Sequence, residues 1–216
     1  DVLTHATEAY TSNFANDYTD GIALQTIKLV FEWLEKSVKT ADPEAREKMH
    51  NASTMAGMAF ANAFLGMSHS MAHKIGGVHH TVHGRTNAIL LPYVIRYNGT
   101  RPSKTTTWPK YNYWKADEKF QDIAKMLGLP HSTPEEAVEA YAKAVYELGV
   151  AVGIKMNFKD QGIDEKAWKD SLHEIALLAY EDQCSPANPR LPMVADMEEI
   201  MADAYYGYAE RPGRRK

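Results

Sequence analysis

Between Gly66 and Ala88 the chain reads GMSHSMAHKIGGVHHTVHGRTNA, so His69, His73, His79, His80 and His83 place five of its nine histidines within fifteen residues. Imidazole at this density points to metal ligation or proton transfer, because a neutral ring offers a lone pair and titrates near neutrality. His69 and His73 are four apart and stack on one face of a helix. His83 follows the flexible Gly76-Gly77 pair, so three imidazoles can converge on one point. Asp1 and His5 repeat the same spacing and set a carboxylate beside an imidazole. Two such pairs on different helices predict a four-ligand cup. Histidine nitrogen plus one carboxylate oxygen suits a borderline divalent ion such as Fe(II) or Zn(II). No cysteine cluster accompanies them, which favours a catalytic ion over a structural zinc knot. Spacing alone leaves open which three or four of the six candidates act as ligands. His50, His131 and His173 stand apart and read as ordinary core or surface residues.

Helices must carry these groups. Ile22, Ile27, Val30, Phe31, Leu34 and Val38 recur at three- and four-residue intervals and predict an amphipathic helix over 20–39. Asp42-Pro43-Glu44 supplies an N-cap, a proline at the first helical position and an acid in the first turn. Ala45, Met49, Ala52, Ala56 and Ala59 then line one small-residue face that lets a neighbouring helix approach closely. Thr133-Pro134-Glu135-Glu136 repeats the start signal, and Ala137, Val138, Tyr141, Ala144, Val145 and Leu148 follow in register. Further helices are expected near 117–127, 164–180 and 196–206, with connectors at 98–114, 128–133, 154–163 and 182–195. The run AILLPYVI, Ala88 to Ile95, suits a buried strand or a helix, although Pro92 argues against a central strand. No extended alternation of period two and no internal repeat is present. The predicted architecture is all-α, a single helical bundle over residues 1–216 with functional connectors.

The 216 residues, 44% hydrophobic and 24% charged, match an ordinary globular protein with a sizeable core. The net charge of −4 gives no footprint for nucleic acid, since only the tail ERPGRRK, Glu210 to Lys216, is locally basic. No apolar run approaches the roughly 20 residues of a membrane span. The lone Cys184 cannot form an internal disulfide, which points to a reducing compartment, by default the cytoplasm. The first residues carry neither a signal-peptide layout nor an initiator methionine, so the chain is expected to begin within a longer protein.

Three elements carry a resemblance. Asp1-x-x-x-His5-Ala6-x-Glu8-Ala9-Tyr10, Gly66-x-x-His69-x-Met71-Ala72-His73-x-x-Gly76 and His83-Gly84-x-x-Asn87-Ala88 resemble the iron-containing, or group III, alcohol dehydrogenases. Phe60-Ala61-Asn62-Ala63-Phe64-Leu65-Gly66, Val94-Ile95-Arg96-Tyr97-Asn98 and Asp182-Gln183-Cys184-x-x-Ala187-Asn188-Pro189-Arg190 are similar to the alcohol dehydrogenase half of the bifunctional aldehyde-alcohol dehydrogenases. The motifs run from residue 1 to about 207.

The resemblance implies that Asp1, His5, His69 and His83 hold the metal, Fe(II) with Zn(II) as an alternative. It leaves His73 beside the metal and near the nicotinamide, for proton transfer or substrate positioning. The implied reaction is hydride transfer between a short primary alcohol, with ethanol and acetaldehyde the leading pair, and NAD. Phe60, Phe64 and Cys184 are weaker candidates for an apolar pocket wall. Val82 stands where many members have proline, and His79 where an apolar or aromatic residue is usual; His79 and His80 read as loop or pocket-wall residues. No glycine-rich phosphate loop follows a strand. The family carries that site on a preceding α/β domain, so this chain is expected to be the helical C-terminal part of a larger, oligomeric or filament-forming enzyme and inactive alone. Competing readings are a glycerol dehydrogenase or dehydroquinate synthase-like enzyme, and a metal-containing helical assembly module.

Overall fold

The computed structural model describes residues 1–102 and 114–207. Every regular element among them is helical: α1 (Val2–Thr11), α2 (Asp17–Thr40), α3 (Pro43–Ala63), α4 (Met67–His79), α5 (His83–Gly99), α6 (Ala116–Met126), α7 (Pro134–Ala151), α8 (Glu165–Tyr180), a 3₁₀ turn (Ser185–Ala187) and α9 (Val194–Tyr206). None of these helices is long and apolar enough to cross a membrane.

The caps explain where the helices start. Asp42 Oδ1 accepts from the Ala45 amide at 2.9 Å, and Thr133 Oγ1 from the Glu136 amide at 3.2 Å, with proline at the first helical position in both cases. α2 begins at Asp17, ahead of the expected start at residue 20, because Asn16 forms a reciprocal capping pair with Thr19. Along α3 the side chains of Ala45, Ala52, Ala56, Ala59 and Ala63 are fully buried, and the small-residue face packs against α2 and α1.

The ambiguous run 88–95 lies wholly inside α5. Pro92 removes one amide from the helical ladder, yet Ile89 through Ile95 are all buried, and packing on both sides outweighs the lost bond. Burial all round is also why this segment shows no one-sided periodicity. Leu91 and Ile95 join a core with α1, α2, α3, α6 and α7, while Ile89, Leu90, Tyr93 and Val94 join a second core with α4, α8 and α9. α5 is thus the shared wall between two apolar clusters.

The glycine pair corrects one expectation. Gly76 and Gly77 are not a hinge; α4 runs through them to His79, and the chain reverses at His80, whose φ of 53° is left-handed. Backbone bonds of α4 and its packing on α5 and α8 override the intrinsic cost of two glycines in a helix. The 154–163 connector is tied down by the Phe158 and Lys159 amides, which donate to Ala204 and Tyr205 at 3.1 Å each. The basic tail and residues 103–113 of the long connector lie outside the described residues.

Candidate metal centre

α1, α4 and α5 each deliver part of one cup. Asp1 stands at the N-cap of α1 with His5 one turn on, His69 lies in the first turn of α4, and His83 opens α5. One ligand atom from each of the four lies within 4.8 Å of the others. Asp1 oxygens sit 3.8 Å from His5 Nε2, 3.6 Å from His69 Nε2 and 3.4 Å from His83 Nε2. Four atoms about 2.1 Å from a single ion at tetrahedral angles stand roughly 3.4 Å apart. The spacing of the four donors fits one such ion.

The His69 ring is 1% exposed, and its Nε2 has no hydrogen-bond partner. Its Nδ1 lies 2.6 Å from Glu8 Oε2, and the other Glu8 oxygen accepts from the Ser68 amide at 2.7 Å. The carboxylate fixes the proton on Nδ1 and aims the Nε2 lone pair into the cup. A buried polar atom left unpaired costs about 1–3 kcal/mol, which a cation in the cup would relieve. Asn87 braces the other side: its Nδ2 lies 3.1 Å from Asp1 Oδ1 and 3.2 Å from His83 Nε2, while its Oδ1 accepts from Ser68 Oγ at 3.2 Å. The amide therefore faces an unprotonated Nε2 on His83.

The same environment favours the neutral form of His5 and of His83. Burial, followed by the neighbouring His69, pushes His5 down to about 3, and burial followed by His69 and His73 lowers His83. Protons therefore compete weakly for the lone pairs of these two rings at neutral pH. Gly66 permits the assembly, because a Cβ there would stand 2.7 Å from Asn188 Oδ1 and 3.1 Å from Glu8 Oε1.

His73 lies beside the cup and not in it. Its ring stacks on His83 with centroids 5.6 Å apart, and its Nδ1 is 3.2 Å from Asp182 Oδ2. The same oxygen is 2.8 Å from Lys74 Nζ, and Asp182 Oδ1 accepts from the Cys184 amide at 3.0 Å. Burial would raise the Asp182 carboxyl, but the bonds from Lys74, the Cys184 amide and His73 bring it below its ordinary value. Burial, then the nearby Asp182 and Glu8 charges, push the Cys184 thiol up to about 12. Cys184 is thus a protonated thiol, with His73 and Asp182 as close neighbours.

The remaining sequence candidates separate. Phe60 packs on the His5 ring, centroids 4.6 Å apart, and so touches the cup. Phe64 caps α3, is 54% exposed and packs at a tilt against Phe14, ring centroids 5.4 Å apart. His79 bonds Ser171 Oγ at 2.9 Å and stacks on Trp168, and with His80 it borders a groove of about 470 Å³ outside the four-donor cluster. Glu8, Asn87 and Asp182 stand in the quoted motifs without a role assigned from sequence. A lone acid among the otherwise uncharged residues Ala6 to Thr11 is the one signal that could have singled out Glu8.

Fold and site together define an all-helical domain that gathers three imidazoles and a carboxylate at the meeting of three helices. Residues 1–205 match the model of the Fe-containing alcohol dehydrogenase family, C-terminal. The chain is 79% identical over its whole length to the aldehyde-alcohol dehydrogenase of Streptococcus pneumoniae, covering 24% of that protein. It is 61% identical to aldehyde-alcohol dehydrogenase 2 of Entamoeba histolytica, where 97% of this chain and 24% of that protein are covered. A solved 1,3-propanediol oxidoreductase superposes with a TM-score of 0.83 at 36% identity, over 95% of this chain and 50% of that one. The chain belongs to the iron-containing alcohol dehydrogenase family, as its C-terminal part. It spans about a quarter of the length of these two aldehyde-alcohol dehydrogenases.

Proposed function

We propose that this domain holds the catalytic divalent ion, Fe(II) or alternatively Zn(II), of a cytoplasmic enzyme that interconverts a short primary alcohol and its aldehyde with NAD, ethanol and acetaldehyde being the leading pair. The observation that carries the reading is the buried, unpartnered Nε2 of His69, aimed at Asp1, His5 and His83. A divalent ion bound there supplies positive charge that polarises the alcohol or carbonyl oxygen.

The chain's own residues do the rest. Asp1, His5, His69 and His83 provide the donors; Glu8 and Asn87 hold three of them in orientation. His73, about a third exposed, accepts the hydroxyl proton and passes it to solvent; NAD, when bound, would supply the acceptor for the carbon-bound hydrogen and its electron pair. Phe60 and the uncharged Cys184, with Phe64 at the rim, form the apolar wall. The nucleotide is held by a preceding α/β domain and the whole enzyme is an oligomer or filament. The superposed propanediol oxidoreductase, about twice as long as the matched region, supports a further domain.

Elemental analysis of anaerobically prepared full-length enzyme tests the ligand set. His69→Ala and His83→Ala are expected to lose metal, and His73→Ala to retain it. Equal loss in all three would make His73 a ligand and overturn the division of roles.

A further inference from the structure

His73 has two ring nitrogens, and only one can face the reacting centre with a lone pair. Its Nδ1 points at Asp182 Oδ2, 3.2 Å away. Asp182 is itself fixed from three directions: Lys74 Nζ at 2.8 Å and His73 on Oδ2, and the Cys184 amide at 3.0 Å on Oδ1. The carboxylate is buried, with a side chain only 6% exposed, whereas the His73 ring is 34% exposed and stacked on His83. His73, Asp182 and Cys184 also meet the spacing of a three-donor metal site. Lys74 already supplies the positive charge at that oxygen, so the trio is better read as a hydrogen-bonded support than as a second ion site.

We infer that Asp182 is the positioning residue for His73: it holds the imidazole proton on Nδ1, leaving the Nε2 lone pair turned toward the substrate oxygen, and Lys74 holds Asp182 in place. The inference rests on the proton role read for His73 above. A carboxylate can only accept, so His73 must donate through Nδ1. Free imidazole has no such constraint. The arrangement sets the tautomer, as an acid behind a catalytic histidine does in hydrolytic triads.

The geometry makes an unusual demand on substitutions. In Asp182→Asn the Cys184 backbone amide is fixed and still requires an oxygen at the Oδ1 position, whereas the partly exposed Lys74 side chain is free to turn to solvent, so the new NH₂ group faces His73. That donor forces Nδ1 to accept and moves the ring proton to Nε2, the wrong tautomer. A purely structural Asp182 predicts that Asn is milder than Ala, because Asn keeps shape and one hydrogen bond. The tautomer role predicts that Asn is at least as damaging as Ala.

The test uses full-length, metal-loaded enzyme carrying Asp182→Asn, Asp182→Ala, His73→Ala and the His73→Ala/Asp182→Asn pair, with metal content and thermal unfolding as folding controls. Asp182→Asn is expected to lower kcat about tenfold or more with KM for the alcohol little changed, and to cost nothing further in the His73→Ala background. A second readout needs no turnover. Diethyl pyrocarbonate attacks the unprotonated ring nitrogen, so labelling of His73, mapped by peptide mass spectrometry, is expected to fall several-fold in Asp182→Asn. Labelling of the exposed His50 is expected to hold constant. Unchanged His73 labelling, additive losses in the double variant, or Asn milder than Ala would each overturn the inference. If His73→Ala is slow while Asp182→Asn is not, only the assignment of Asp182 falls; if His73→Ala keeps wild-type kcat, the proton role of His73 falls and takes this assignment with it.

Discussion

At the scale of single residues, the donors and their supports differ in how far apart in the chain their partners lie. Glu8 is 61 residues from His69, Asn87 is 86 from Asp1, and Asp182 is 109 from His73. Residue type and i,i+4 spacing mark the candidate donors without sorting them, and only the family resemblance selects the four; the supports are not marked at all, because nothing local to Glu8 or Asp182 says which imidazole it will meet. Glu8→Gln tests the weight of one support: metal affinity of the full-length enzyme, read by chelator competition, is expected to fall on the order of ten- to a hundred-fold. Cys184 gives a pH prediction. Its folded value of about 12 lies above the ordinary thiol range, so between about 9 and 12 the unfolded chain binds fewer protons than the folded one. Stability therefore falls as pH rises through that window, and Cys184→Ala should flatten the fall in denaturant midpoints. At pH 8 native Cys184 should resist iodoacetamide and react quickly once the chain is unfolded.

At the scale of elements, helices with polar start signals and a one-sided apolar stripe were readable from sequence, and α3, α7 and α8 begin within a residue of the expected positions. α5 was not readable, because a helix buried on both flanks carries no stripe and Pro92 mimics a break. The glycine pair misled for a related reason: conformational freedom is a property of the residue, and α4 takes its rigidity from neighbours. Two substitutions separate local from packing effects. Thr133→Ala removes a side-chain cap and should cost about 1 kcal/mol of unfolding free energy. Ala56→Leu drives a larger side chain into the fully buried face of α3 and should cost about 1–3 kcal/mol or more. Denaturant titration checks both.

At the scale of the whole molecule, two apolar cores meet along α5, and the four donors come from α1 in the first core, α4 in the second and α5 between them. An ion in the cup would bind only the folded arrangement and so tie the two cores together. Loading the full-length enzyme with metal should raise the unfolding midpoint, and chelation should lower it; an unchanged midpoint would mean that the cup does not join them. Residues 1–216 alone are expected to take up metal without NAD-dependent alcohol oxidation, and turnover should return when the rest of the enzyme is supplied.

The unbroken course of α4 through Gly76 and Gly77 carries one more consequence. Between His69 and the reversal at His80 the chain is a helix, so its length acts as a phase. One inserted residue there would turn everything beyond it by about 100° around the helix axis. His83 would then swing out of the cup even if every donor were kept. The interval from His69 to His79 is therefore closed to insertions and deletions, and point substitution is the only change that leaves the two donors in register.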